Sequence, residues 1–293
     1  MPVPVPSSSR PRGHGFDPAL VDAVLDAMLP ARALRRPLLA GLSGLQGSGK
    51  STLAAQLVAA ARTRGIDALA LSLDDVYFGR RERQQLARDV HALFATRGVP
   101  GTHDLGLLER TLDALAQASP QRPVGVPRFD KGRDTRQPPS RWRRCTRAPA
   151  LIILEGWCLG VPAQAAAELD RPLNGLERNE DPDGCWRRHV NAVLARDYAR
   201  LWRRLDRLVV LQAPGFDVVR RWRGEQERRL RHRNNAPRIM DASALARFIA
   251  HYERLSRHAL RSLPARADLV VRLDHDRRAA IRAAPAAGIN PRR

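Results

Sequence analysis

Lysine is nearly absent from this 293-residue chain: of 51 basic residues only two, Lys50 and Lys131, are lysine. Lysine and arginine are not interchangeable where a compact charge must fit inside a tight loop, so both positions mark themselves as candidate sites. Cysteine is also scarce. Cys145, Cys158 and Cys185 are odd in number, widely spaced and never C-x-x-C. That excludes a disulfide framework and a zinc site of that type, and it points to a reducing, cytoplasmic compartment. No apolar run approaches the ~20 residues of a membrane span, so no membrane partner is expected. Aromatics make up 5% of the chain, and no basic block interleaves with them. The net charge of +21 therefore reads as arginine spread over the surface, which suits a small anionic substrate better than nucleic acid. There is no histidine cluster with metal-ligand spacing and no nucleophile elbow.

What is present is a phosphate-binding loop. Gly44-Leu45-Gln46-Gly47-Ser48-Gly49-Lys50-Ser51-Thr52 fits G-x-x-x-x-G-K-[ST] at every fixed position. Glycines let the loop fold back and aim its N–H groups at phosphate oxygens. Lys50 supplies charge at the β- and γ-phosphates, and Ser51 offers a hydroxyl to Mg²⁺. The preceding Pro37–Ser43 reads as an apolar strand and the following Thr52–Arg64 as a helix whose N-terminus faces the nucleotide. ATP and Mg²⁺ are the expected ligands.

The remaining pattern predicts an α/β fold, a central parallel sheet flanked by helices. A helix follows Asp17-Pro18, and Ala68–Leu73 is a second strand ending at Asp74-Asp75. Helices are predicted over Arg80–Phe94 and Leu105–Ala118, with a loop from Gly98 to Asp104. Val124–Phe129 is an extended edge piece because of Pro127. Arg133–Arg147 reads as a loop or lid, Ala150–Leu154 as a buried strand, and Gly160–Gly184 as irregular with a short helix near Ala163–Leu169. Later elements are a helix over Trp186–Leu205, a strand over Leu208–Gln212, helices over Phe216–Arg233 and Asp241–Leu263, and a strand over Ala267–Leu273. Residues 1–16 read as a disordered tail and 17–276 as one domain with insertions near 98–147 and 160–184. The tail 277–293 is expected to fray.

Phosphoryl transfer needs a cradle, a metal-holding carboxylate, a positioned nucleophile and positive charge. Glu155, ending an apolar strand and followed by Gly156, is the expected Mg²⁺ carboxylate beside Ser51. Asp74 is placed to orient an acceptor hydroxyl; a carboxyl with an ordinary pKa of about 3.9 is a weak base for an alcohol. Lys131, in Pro127-Arg-Phe-Asp-Lys-Gly, marks a second site. Among Arg220, Arg221, Arg223, Arg228, Arg229, Arg231 and Arg233, a minority could close over phosphates.

Taken together, Gly44–Thr52, Ser72-Leu-Asp-Asp-Val-Tyr77, Gly101-Thr-His-Asp104, Pro127-Arg-Phe-Asp-Lys131 and Glu155-Gly-Trp-Cys-Leu-Gly160 resemble the P-loop glycerate kinase family, over about residues 37–273. The chain is more distantly similar to phosphoribulokinase, uridine kinase and pantothenate kinase. The resemblance implies a three-layer P-loop fold and transfer of the ATP γ-phosphate to D-glycerate. Asp74 matches the catalytic aspartate and Glu155 the Mg²⁺ carboxylate. Asp75, Tyr77, His103, Asp104, Arg128, Asp130 and Lys131 fall on substrate-facing segments. The sequence departs from the plant pattern after Lys131, which lacks a Ser/Gly-rich stretch, and before His103. Both departures lie on the acceptor side. Two other readings stay open: a kinase for a nucleoside, pantothenate-like or sugar-phosphate alcohol, and a nucleotide switch or nucleic-acid-associated NTPase.

Overall fold

The computed structural model describes residues 15–29, 36–233 and 242–282, with the side chains of 226–233, 242 and 282 outside the description. In chain order the elements are α1 (Pro18–Met28), β1 (Leu38–Gly44), α2 (Lys50–Thr63), β2 (Ala68–Ser72), α3 (Arg80–Asp89), α4 (Leu105–Leu115), β3 (Val124–Val126), β4 (Phe129–Asp130), β5 (Thr135–Arg136), β6 (Arg143–Cys145) and β7 (Leu151–Gly156). After these come α5 (Gly175–Glu180), α6 (Cys185–Val193), α7 (Ala199–Trp202), β8 (Arg207–Gln212), α8 (Val218–Arg233), α9 (Ala242–Ser262), β9 (Leu269–Leu273) and β10 (Ala279–Arg282).

Six strands form one sheet in the order β10-β9-β8-β1-β7-β2. All neighbours are parallel except β10, which runs antiparallel to β9. A parallel sheet is buried on both faces, and its central strands are accordingly apolar throughout. Alternation sorts their side chains. Leu39, Ile152, Leu154, Leu208 and Val210 enter a core shared with α4, α7 and α9. Leu38, Ala40, Leu42, Leu151, Ile153, Val209 and Leu211 enter a core shared with α1 and α2. The result is helix, sheet, helix. The β1 strand lies between β7 and β8, so the chain turns off in both directions from it, and the loop after β1 opens at the carboxyl edge where ligands of such sheets collect.

Several sequence expectations change. Arg133–Arg147 is not a loose lid: β5 pairs with β4 and β6 pairs with β3, giving two small antiparallel sheets. The helix expected through Phe94 stops at Asp89; His91 then caps a 3₁₀ turn, Ala92–Ala95, through its ring nitrogen. The helix expected from Trp186 contains a π-helical segment, Leu194–Tyr198, between α6 and α7. The short helix near Ala163–Leu169 is a 3₁₀ turn over Ala166–Leu169, and α5 was not anticipated. The expected fraying from Arg277 gives way to β10. At the other end Phe16, placed in the expected tail, is tied by its backbone to the Gln56 side chain at 2.8 and 2.9 Å. Residues 1–14, Asp241 and 283–293 lie outside the described residues.

Candidate active site

The loop from Gly44 to Lys50 is organised around one carbonyl. Leu45 O accepts the Ser48 N–H at 3.2 Å and the Lys50 ammonium at 3.0 Å. Gly47 and Gly49 take left-handed φ values of +79° and +94°, which ordinary side chains rarely adopt. Lys50 is buried at the start of α2, and burial pushes its ammonium down, with the Glu155 and Asp74 carboxylates opposing that push. Strand alternation explains the next contact. Ile153 faces α2 and Leu154 faces away, so Glu155 faces α2 again. There the Ser51 hydroxyl, in the first turn of α2, donates to Glu155 Oε1 at 2.9 Å. Glu155 is only 8% exposed.

At the end of β2 the chain tightens into a 3₁₀ turn, Leu73–Val76, whose start Ser72 caps by accepting from the Asp74 N–H. That turn separates the two aspartates. Asp74 accepts from the Lys131 ammonium at 2.6 Å and from the Tyr77 hydroxyl at 2.8 Å. Burial pushes the Asp74 carboxyl up, but the charge and hydrogen bond of Lys131 and the Tyr77 hydroxyl together outweigh it and hold it at about 2. Asp75 points the other way and accepts from the Phe129 N–H at 3.1 Å and from Arg128 at 3.2 Å. It thereby fixes the β3–β4 segment that delivers Lys131.

Tyr77 and His103 form a bridge of extended backbone, and their rings stack with centroids 4.4 Å apart. His103 is 3% exposed, and burial lowers its pKa to about 4 although Asp74 opposes the shift. Its Nδ1 lies 2.6 Å from the Tyr198 hydroxyl, which also accepts the Gly101 N–H at 3.1 Å. The ring's other nitrogen, Nε2, is buried with no partner among the described residues. Tyr198 belongs to the π-helical segment, a form of helix frequent at functional sites. The side chains Asp74, Lys131, Tyr77 and His103 thus make one wall, here termed the acceptor wall.

Three residues expected to face substrate also make contacts within the protein. Asp104 caps α4 through the Leu107 N–H at 2.8 Å and pairs with Arg136 at 3.2 Å. Asp130 accepts the N–H groups of Gly132 and Arg133, each at 3.0 Å, and closes the β4–β5 turn. Arg128, its side chain exposed, donates to Asp75. Sequence reasoning missed Tyr198, Arg136 and the Asp134 hub, where Arg83, Arg97 and Arg80 converge on one carboxylate and lock the β4–β5 hairpin. It also missed Arg277, whose Nε donates to the Gly47 carbonyl at 2.8 Å. No local pattern marks any of these four. Of the arginines expected over phosphates, Arg228, Arg229, Arg231 and Arg233 have side chains outside the described residues. Arg221 lies 3.6 Å from Asp276, and Arg223 sits over the Phe248 ring. Among the described residues no group of three or more His, Cys, Asp or Glu side chains is placed to hold a metal, and no helix is long and apolar enough to cross a membrane.

A central parallel sheet with a glycine loop after its middle strand, a serine–glutamate pair beside it and an aspartate–lysine pair across from it define a P-loop kinase. No family model matches the chain. An uncharacterized kinase of Schizosaccharomyces pombe, mug58, is 33% identical over 225 residues, covering 74% of this chain and 79% of its own. The chloroplastic D-glycerate 3-kinase of Arabidopsis thaliana is 29% identical over 211 residues, 68% of this chain but 43% of the plant protein. The structure of D-glycerate 3-kinase from Cryptococcus neoformans var. grubii superposes with a TM-score of 0.69 at 20% identity, covering 91% of this chain and 97% of that one, and so shares the fold. The chain belongs to the P-loop glycerate kinase family.

Proposed function

We propose that the protein transfers the γ-phosphate of ATP to the primary hydroxyl of D-glycerate, giving 3-phosphoglycerate and ADP. The observation that carries this reading is Asp74, held between Lys131 and Tyr77 at the mouth of the phosphate loop. The acceptor oxygen forms a bond to the γ-phosphorus as the bond to the β–γ bridging oxygen breaks. ADP leaves with that electron pair, and the hydroxyl proton passes by way of Asp74 to solvent. A carboxyl held at about 2 is a weak base, so its main contribution is to orient the hydroxyl in line. Tyr77, whose phenol is kept protonated by burial and the Asp74 charge, fixes that carboxylate.

Lys50 and the N–H groups of the loop from Gly44 to Thr52 bind and orient the phosphates. Buried polar atoms without a partner among the described residues in and before the loop, namely Ser43 Oγ, Ser48 Oγ and both ends of the Gln46 amide, suit a loop completed by a ligand. Ser51 and Glu155 would hold Mg²⁺; one hydroxyl and one carboxylate fit an ion that keeps waters and substrate phosphates as its other ligands. Bound there, Mg²⁺ supplies charge neutralisation. Lys131, with Arg128 beside it, is suited to the carboxylate of a small anionic acceptor. The two cores flanking one sheet support reading 17–276 as a single kinase domain whose first insertion brings His103 and Lys131 to the acceptor wall. Sparse, unpaired cysteines support a cytoplasmic setting.

The test is ADP release from MgATP with and without D-glycerate, beside L-glycerate, uridine, pantothenate and ribulose 5-phosphate. Turnover dependent on D-glycerate with a phosphoglycerate product is expected. Turnover only with another alcohol would move the acceptor and keep the phosphate-side assignments, and none at all would return the switch reading.

A further inference from the structure

The turn between β9 and β10 reaches the phosphate loop from behind. Arg277 ends that turn with φ +63°, a left-handed backbone that a non-glycine residue keeps only where its surroundings over-determine it. Here they do. The Arg277 N–H bonds the Asp274 carbonyl at 3.0 Å, and the Asp274 carboxylate accepts the N–H groups of Asp276 and Arg278, each at 2.8 Å. The guanidinium this conformation presents has three partners. Its Nε donates to the Gly47 carbonyl at 2.8 Å, its Nη1 to Glu225 on α8 at 2.7 Å, and it lies 5.0 Å from the centre of the Trp222 ring. Trp222 is buried, donates to the His275 carbonyl at 3.0 Å, and has its Cβ 2.7 Å from where a side chain on Gly47 would begin.

A peptide unit is planar and trans, so its carbonyl and its N–H point opposite ways. Anchoring the Gly47 carbonyl on the outside turns the Ser48 N–H to the inside of the loop, where it faces the Leu45 carbonyl that also holds Lys50. Apart from that 3.2 Å hydrogen bond, a loop with two left-handed glycines has little else to fix the peptide.

We propose that Arg277 is a positioning residue of the phosphate loop: it presets the Gly47–Ser48 peptide for phosphate and, through Glu225, ties the loop to the middle of α8. This rests on the nucleotide-binding part of the proposed function and not on the identity of the acceptor. A staple of the β9–β10 turn alone would affect stability and leave nucleotide affinity in place.

The experiment is MgATP binding by titration calorimetry, without acceptor, on the full chain and on Arg277→Ala, Arg277→Lys and Glu225→Gln, with Tm measured for each. Arg277→Ala is expected to weaken MgATP about tenfold, the scale of a lost charge-assisted hydrogen bond. Lysine should recover about threefold of that, and Glu225→Gln should cost about two- to threefold, with both variants folded in case the alanine variant is not. In turnover assays the loss should appear in KM for ATP and not in KM for the acceptor. A lower Tm with MgATP affinity unchanged in all three variants would overturn the inference. Absence of MgATP binding by the unmodified chain would overturn the proposed function, and this inference with it.

Discussion

At the phosphate loop the groups that meet are mostly backbone: the Leu45 and Gly47 carbonyls, the Ser48 N–H and two glycines at positive φ, with Lys50 and Arg277 reaching in. Across the cleft, the acceptor wall consists of side chains that satisfy one another, Asp74 with Lys131 and Tyr77, His103 with Tyr198. The loop is dense, and Lys50 is buried in it. The wall is half open, with Lys131 61% and Asp74 28% exposed at their side chains. Backbone geometry suits a ligand that never changes, the phosphate chain. A wall of exchangeable side-chain pairs suits the half of the reaction that differs between relatives, because a new acceptor needs only new partners for the same carboxylate.

If that contrast is right, the two halves fail differently. The largest effect is expected for Lys50→Met, with turnover reduced by about 10³-fold and MgATP affinity weakened as well, since the same charge serves ground state and transition state. Asp74→Asn should lower turnover by about 10²-fold while MgATP binding stays within a few-fold; equal losses in both would erase the distinction between loop and wall. Lys131→Met should raise KM for the acceptor about tenfold and leave KM for ATP in place. It also removes the main influence holding Asp74 down, so the acid limb of the pH–rate profile should move upward from about 2. An unmoved limb would take Lys131 out of contact with Asp74 in solution.

A further effect concerns stability. Burial depresses the folded-state pKa of His103 from 6.5 to about 4, so between those values the unfolded chain binds a proton that the folded chain does not. Stability should therefore be complete above pH 6.5, fall on acidification toward pH 4 by up to about 1.4 kcal/mol per pH unit from this group, and stop falling below that. His103→Gln should flatten that slope in urea titrations at pH 5 and 7. Asp74 acts in a different window: its depressed carboxyl supports the fold above 3.8 and loses that contribution as pH falls toward about 2.

The same contrast explains what the sequence discloses. A backbone-built site needs fixed residues at fixed spacing, so the pattern of Gly44–Thr52 and the strand before it is legible directly, and the sheet follows from apolar runs. Asp74 and Lys131, which the structure brings together, stand out in the sequence because one ends a strand and the other is a rare residue. A side-chain wall depends on pairs far apart in the chain, and distance hides them. Nothing near Tyr198 announces that it meets His103, 95 residues away. Nothing local to Asp104 and Asp130 shows the helix and turn that they close. Arg133–Arg147 read as a lid because its strands are two or three residues long, too short for periodicity to register. Arg277 sat beyond the last apolar run, where nothing local suggests a return to the phosphate loop.

The scarcity of lysine has a practical side. Lys50 is buried and Lys131 stands open at the acceptor wall, so an amine-directed reagent would find, apart from the chain's amino terminus, one accessible target. A fluorophore or crosslinker attached there would report from the cleft itself without any engineered cysteine. Protection of that one amine by candidate acceptors would rank them by occupancy before any turnover is measured.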